Sequence, residues 1–178
     1  MAFGAPDPDG RVAPIRVGAA LRLRPAKAAD LDFLRTLFHA FRADEMRLVP
    51  WSDAAKAAFL DEQFRLQHRH FTTVFADADF LVVERAGAPV GRLYLQRRPD
   101  AFLVVDIGFV PAARRRGLGR AVMTWVLDQA RAAGAPRVEL HVLALNLAAR
   151  RLYESLGFGV AGETPTYLRM TCPTDASI

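Results

Sequence analysis

The chain has 178 residues, enough for one domain with a sizeable core, and its 52% hydrophobic and 24% charged residues exclude a fibre or a disordered chain. Its 24 lysines and arginines against 19 aspartates and glutamates favour anionic ligands, but no basic stripe interleaved with aromatics calls for nucleic acid. The single Cys172 excludes an internal disulfide and a cysteine-rich metal site, so no metal is expected. No apolar run approaches the roughly 20 residues of a membrane span, and the start lacks a signal-peptide apolar segment. A cytoplasmic protein with no membrane partner is the expectation.

Residues 1–18 mix proline, glycine and alanine with isolated charges and are expected to be a flexible extension ahead of a single domain at 19–172. Leu21, Arg22, Leu23 and Arg24 alternate as a half-exposed strand does and stop at Pro25, after which Leu31, Leu34, Phe38 and Phe41 follow at helical spacing. After Pro50 and Trp51, Ser52 or Asp53 can cap a second helix with Phe59, Leu60, Phe64 and Leu66 on its apolar face. His68 and His70 fall in its fraying end, with no carboxylate or cysteine at metal-ligand spacing. Residues 80–83 and 90–95 make a hairpin across Gly87 and Pro89. Residues 102–110 are nearly continuously apolar, the pattern of a central strand covered on both faces, interrupted only by Asp106 and Gly108.

A helix follows in which Leu118, Val122, Trp125 and Val126 share one face, ending at Gly134 and Pro136. Residues 138–142 form a strand that sets Glu139 and His141 opposite Val138 and Leu140. Asn146 caps a short helix carrying Ala149, Leu152, Tyr153 and Leu156, stopped by Gly157. Residues 158–161 and 167–170 read as closing strands, and 173–178 as a tail.

Between the apolar strand and the helix lies Arg114-x-x-Gly117-x-Gly119, with Arg115 and Arg116 inside it and Leu118 and Arg120 beside the glycines. Glycines allow close backbone approach, and a helix N-terminus supplies positive potential, so this junction reads as a phosphate cradle. A dinucleotide fingerprint fails, because Val122 stands where its third glycine belongs and too few strand–helix units exist for a doubly wound fold. A P-loop fails for want of Gly-Lys-Ser or Gly-Lys-Thr at the required spacing.

The cradle resembles the Arg/Gln-x-x-Gly-x-Gly/Ala segment of the Gcn5-related N-acetyltransferases (GNATs). Asn146, Tyr153 seven residues later and the pair Gly157-Phe158 resemble that family's second motif, in the right order and one helix and one strand downstream. The resemblance is specific over residues 102–158 and permissive over the first 80. It implies a mixed α/β domain whose mostly antiparallel central sheet has a splayed central strand pair, flanked by about four helices. It also implies acetyl-CoA as co-substrate, with pantetheine along Ile107, Gly108, Phe109 and Val110, pyrophosphate on the amides of Arg115, Arg116, Gly117, Leu118, Gly119 and Arg120, and contacts from Arg114, Asn146 and Tyr153.

Acetyl transfer to an amine in a ternary complex then asks for three groups. A donor must face the thioester oxygen, for which a backbone N–H near Phe109 or Val110 is available. The departing thiolate needs a proton, and Tyr153 matches the family's acid. An amine of pKa about 10.4 needs a base, for which His141 and Asp106 are the candidates, with Glu139 behind them. The acceptor is a small-molecule or peptide amine chosen by residues 42–80. Pairing of two chains into a homodimer is compatible with the sequence. A non-catalytic acyl-CoA sensor would keep the cradle and ignore Tyr153.

Overall fold

Alternating apolar and polar side chains over residues 21–24 form a strand near one edge of the sheet, and the computed structural model describes this chain from residue 15 to residue 174, residue 19 excepted. In order, the elements are β1 (Ile15–Val17), β2 (Leu21–Pro25), α1 (Leu31–Arg47), α2 (Asp53–Val74), β3 (Asp79–Arg85), β4 (Ala88–Arg97) and β5 (Phe102–Phe109). They continue with α3 (Leu118–Ala132), β6 (Arg137–Leu143), α4 (Leu147–Glu154), β7 (Gly159–Glu163) and β8 (Tyr167–Pro173). Among the described residues the strands form one sheet in the order β1-β2-β3-β4-β5-β6-β8-β7, antiparallel throughout except for β5 beside β6. This is the mixed, mostly antiparallel architecture expected.

The sheet begins earlier than the sequence suggests. Ile15–Val17 pairs with β2 although it lies in the stretch expected to be an extension, because Val17 packs into the core beside Leu21. Residues 1–14 and 175–178 of the two expected tails lie outside the described residues.

Helices cover the sheet on both faces. On one, Val122, Met123, Val126 and Ala130 of α3 are fully buried against Val138, Leu140 and Val104, and Tyr153 of α4 joins them. On the other, Leu34 and Phe38 of α1 and Leu60 and Phe64 of α2 pack on Phe80, Val82 and Tyr94. Each such side chain contributes on the order of 1.5–3 kcal/mol by leaving water. Ser52 caps α2 by accepting from the Ala55 N–H at 3.2 Å. The helix runs on to Val74, so His68 is not in a fraying end. It is buried and stacks on Phe64 with ring centroids 5.8 Å apart. Phe59 and Leu66, expected on the apolar face, are largely exposed, and Trp51 meets Phe59 edge-on.

A charged clamp fixes the entry to α1. The Arg24 guanidinium donates to both oxygens of Asp30 at 2.7 Å and to Glu84 at 2.6 Å, tying β2, β3 and the turn before α1. That pairing holds the Asp30 carboxyl below its usual range.

The centre of the sheet is where regularity ends. β5 pairs with β6 only from Phe102 to Val104, and Val105 is bulged out of the β4 ladder between Tyr94 and Leu95. Beyond these residues the two parallel strands lose their ladder. Residues 105–109 are therefore half-buried rather than covered on both faces as the apolar run suggests. An apolar strand reads alike whether protein or a ligand is to cover it.

Candidate active site

The splay between β5 and β6 has two differently furnished faces. Register keeps Val104 and Leu140 on the α3 side, while Leu103 and Glu139 share the α1–α2 side. Alternation then carries His141 to the α1–α2 side. The bulge puts two successive residues, Val105 and Asp106, on that same side, where Val105 packs on the α1–α2 core and Asp106 meets Arg92. Tyr153 lies on the opposite side among the α3 residues.

Backbone groups along β5 alternate too. The Val110 N–H donates to the Val90 carbonyl at 2.9 Å, so it is engaged in the sheet and is not the free donor expected there. In an antiparallel pair the flanking residue turns its groups the other way, which aims the amides of Phe109 and Ile107 at the splay. The Phe109 carbonyl accepts from the Arg114 Nε at 3.0 Å. Gly108 is required by close packing: a Cβ there would lie 2.1 Å from Cζ of Phe41, which seals α1 against the strand.

At the end of β5 a 3₁₀ turn over Pro111–Ala113 leads into the cradle. Arg115 and Gly117 both adopt left-handed conformations, with φ of 58° and 76°, and α3 starts at Leu118. The first amides of a helix have no preceding turn to donate to. The turn thus concentrates backbone donors, the α3 dipole and the exposed side chains of Arg114, Arg115 and Arg116 at one place. Gly119 lets α4 approach, since a Cβ would lie 3.2 Å from Leu152. The Arg120 guanidinium donates to the Ser155 hydroxyl at 2.7 Å, joining α3 to α4.

Asn146 caps α4 by accepting from the Ala149 N–H at 3.2 Å, and is exposed at the outer end of β6. About two helical turns later, Tyr153 is buried against Phe158, ring centroids 5.8 Å apart. Burial pushes its phenol up to about 12, and the Asp106 charge adds to the shift. The phenol on one face of the splay thus lies within electrostatic reach of the carboxylate on the other. The phenol stays protonated across the physiological range.

The candidate bases sit in unequal surroundings. His141 is exposed, directly across from Arg169 on β8. Asp106 is ion-paired to Arg92. Glu139 accepts from Arg137 at 2.6 Å and from Arg98 at 3.2 Å, with Arg169 3.9 Å away, and the Arg137 hydrogen bond holds its carboxyl below the usual range. Three guanidiniums make Glu139 a poor proton acceptor. Burial raises the Cys172 thiol, which keeps it unreactive. Among the described residues no group of three His, Cys, Asp or Glu could hold a metal ion, and no helix is long and apolar enough to cross a membrane.

Sequence reasoning missed Arg92, Gln67 and Phe41 as part of this site. The available signal was an arginine interrupting the apolar strand 90–95. Only strand register reveals that it stands near Asp106, 14 residues on.

Solved structures share this fold. The PaiA N-acetyltransferase of Thermoplasma acidophilum, solved with coenzyme A, superposes with a TM-score of 0.67 over 86% of this chain and 98% of its own, at 14% identity. The ribosomal-protein-S18-alanine N-acetyltransferase of Escherichia coli gives a TM-score of 0.61 over 89% of this chain and 96% of its own, at 21% identity. These likenesses speak for the fold. In sequence, mycothiol acetyltransferase of Thermobispora bispora is 37% identical over 109 residues, which are 61% of this chain. That match spans only 32% of the relative's length. Residues 34–158, from α1 through the Gly157-Phe158 pair, match the Acetyltransferase (GNAT) family, and the chain belongs to that family.

Proposed function

We propose that this protein moves an acetyl group from acetyl-CoA to a primary amine of a small molecule or peptide, by direct attack in a ternary complex. The observation that carries this reading is the placement of two polar groups on opposite faces of the splay, with buried Tyr153 on the α3–α4 side and Asp106, ion-paired to Arg92, on the α1–α2 side. Relatives named for acetylating mycothiol-type substrates, a ribosomal-protein alanine or spermidine support an amine acceptor without choosing among amines.

Acetyl-CoA supplies an acetyl group activated as a thioester. The residues of the chain then divide the work. The cradle amides of residues 115–120, backed by Arg114, Arg115 and Arg116, hold the pyrophosphate, and Asn146 stands at the outer end of the splay. The edge of β5 at Ile107, Gly108 and Phe109 pairs with the pantetheine arm, and an amide of Ile107 or Phe109 polarises the thioester oxygen. Val110 sits at the end of that rail. The amine nitrogen forms a bond to the acetyl carbon, the carbon–sulfur bond breaks, and the amine's proton leaves to His141 directly or through water. The Tyr153 hydroxyl donates to the sulfur that departs. One chain holds all these groups, so the reading needs no second copy.

A panel of primary amines assayed for release of free CoA tests the proposal. Release above the rate of acetyl-CoA hydrolysis, with an amide in the product, is expected for at least one class. Tight acetyl-CoA binding with no amine-dependent release would turn the reading towards a sensor.

A further inference from the structure

Arg92 is only 2% exposed, and it heads the fully buried side chains by volume in a strand where Leu93, Tyr94 and Leu95 are its buried neighbours. A buried arginine is expensive to desolvate, and apolar residues of similar volume often replace buried ion pairs at no loss of stability. Packing alone therefore does not account for it. Its guanidinium is gripped from four elements: Nε donates to Asp106 Oδ2 on β5, and Nη2 donates to Gln67 Oε1 on α2 at 3.0 Å. The rings of Tyr94 on β4 and Phe41 on α1 lie 5.1 and 5.6 Å from its centre. A plane held at so many points fixes whatever it binds. What it binds is the Asp106 carboxylate, which retains 24% side-chain exposure where β5 leaves β6 and whose charge reaches the Tyr153 phenol.

We propose that Arg92 is a positioning residue that presents the Asp106 carboxylate as the docking point for a cationic acceptor, a primary ammonium. This rests on the acetyl-transfer reading. Arg92 takes one oxygen of Asp106 and fixes the rotamer, and an arriving ammonium hydrogen-bonds to the carboxylate from the splay side. The same guanidinium stands behind the carboxylate as a like charge to the ammonium, which offsets part of the extra hold on the proton that the carboxylate alone would impose. One buried cation thus orients the carboxylate and moderates its grip on the ammonium proton.

Two measurements test this on Arg92→Met, Arg92→Lys, Asp106→Asn and the double variant Arg92→Met/Asp106→Asn. The first needs no turnover: saturation-transfer NMR with butane-1,4-diamine, and butane-1,4-diol as the neutral control. The parent is expected to bind the diamine and not the diol, and the signal should fall at least threefold in Arg92→Met and in Asp106→Asn, with partial recovery in Arg92→Lys. The second separates kcat from KM for the best amine of the panel. A KM rise of tenfold or more is expected in Arg92→Met, with acetyl-CoA affinity within twofold of the parent and no further loss in the double variant beyond Asp106→Asn. Equal binding of diol and diamine, or a double variant restored to the parent KM, would overturn the proposal, the latter showing that the two charges merely neutralise each other. Loss of acetyl-CoA affinity in step with KM in Arg92→Met would also overturn it, by showing a purely structural role. Failure of the transfer reading shows separately, as the absence of amine-dependent CoA release by the parent.

Discussion

Replacing Tyr153 by Phe removes one hydroxyl and leaves the ring packed on Phe158. The phenol is pushed up to about 12 by burial, whereas a thiol such as that of CoA has a pKa of about 8.5. Full proton transfer from this phenol to the departing thiolate is therefore uphill by about 3.5 units, or about 5 kcal/mol. On the proposed reading Tyr153 therefore acts as a hydrogen-bond donor to the negative charge developing on sulfur rather than as a full proton donor. A hydrogen bond to a charged partner contributes about 1.5–3 kcal/mol, which sets the expected fall in kcat at about 10- to 150-fold. Steady-state assays of free CoA release, with acetyl-CoA affinity measured separately, read the effect. The affinity should stay within twofold. Thermal unfolding should be unchanged, because only the hydroxyl oxygen is lost and the ring stays packed on Phe158. An undiminished kcat in Tyr153→Phe would refute the donor role, and a proportional loss of acetyl-CoA affinity would recast Tyr153 as a packing residue.

Three further variants probe the frame of the site. Gly108→Ala drives a Cβ to 2.1 Å from Phe41 Cζ, so unfolding should become easier by about 1–3 kcal/mol, and Phe41→Leu in the same chain should recover part of it. A calorimetric trace unchanged by Gly108→Ala would contradict that contact. Gly117→Ala meets no atom within 4 Å, yet its φ of 76° is strained for alanine by about 1–2 kcal/mol. Titration should show acetyl-CoA affinity weakened about 5- to 30-fold, and affinity within twofold would separate the cradle from that turn. Asp30→Asn removes a carboxylate whose folded value is depressed by Arg24, at a cost of about 2 kcal/mol near neutrality, or roughly 4–8 °C in Tm. Because the folded value is lowered, that stability is present above the ordinary carboxylate pKa of about 3.9 and is lost as pH falls through the lower folded value. The gap between parent and variant should close on acidification below pH about 4, and a gap constant with pH would contradict the pairing.

Local signals made much of this site legible. The cradle is a strand end, two glycines and a helix start within ten residues, and Asn146 and Gly157 announce both ends of α4. Tyr153 follows from the helical spacing that buries it. What was hidden depends on relations that no short window contains. The bulge at Val105 sets Asp106 beside it on one face, against the period-two rule, and only register makes Arg92 its partner. The splay followed only from the family resemblance, because a strand left open at the sheet's centre reads as apolar as one covered by the core. Three residues of β1 are too short to show a period, and α2 passes His68 without a glycine or proline to mark its true end.

The most direct measurement follows the acetyl group itself. Protein in slight excess is mixed with acetyl-CoA carrying an isotope-labelled acetyl group and with the best amine of the panel, quenched within one turnover and analysed by mass spectrometry. Direct attack predicts label in the amide of the acceptor, free CoA in equal amount and an unmodified protein mass at every time point. Label attached to the protein during that turnover, or retained on CoA with every amine, would contradict the account.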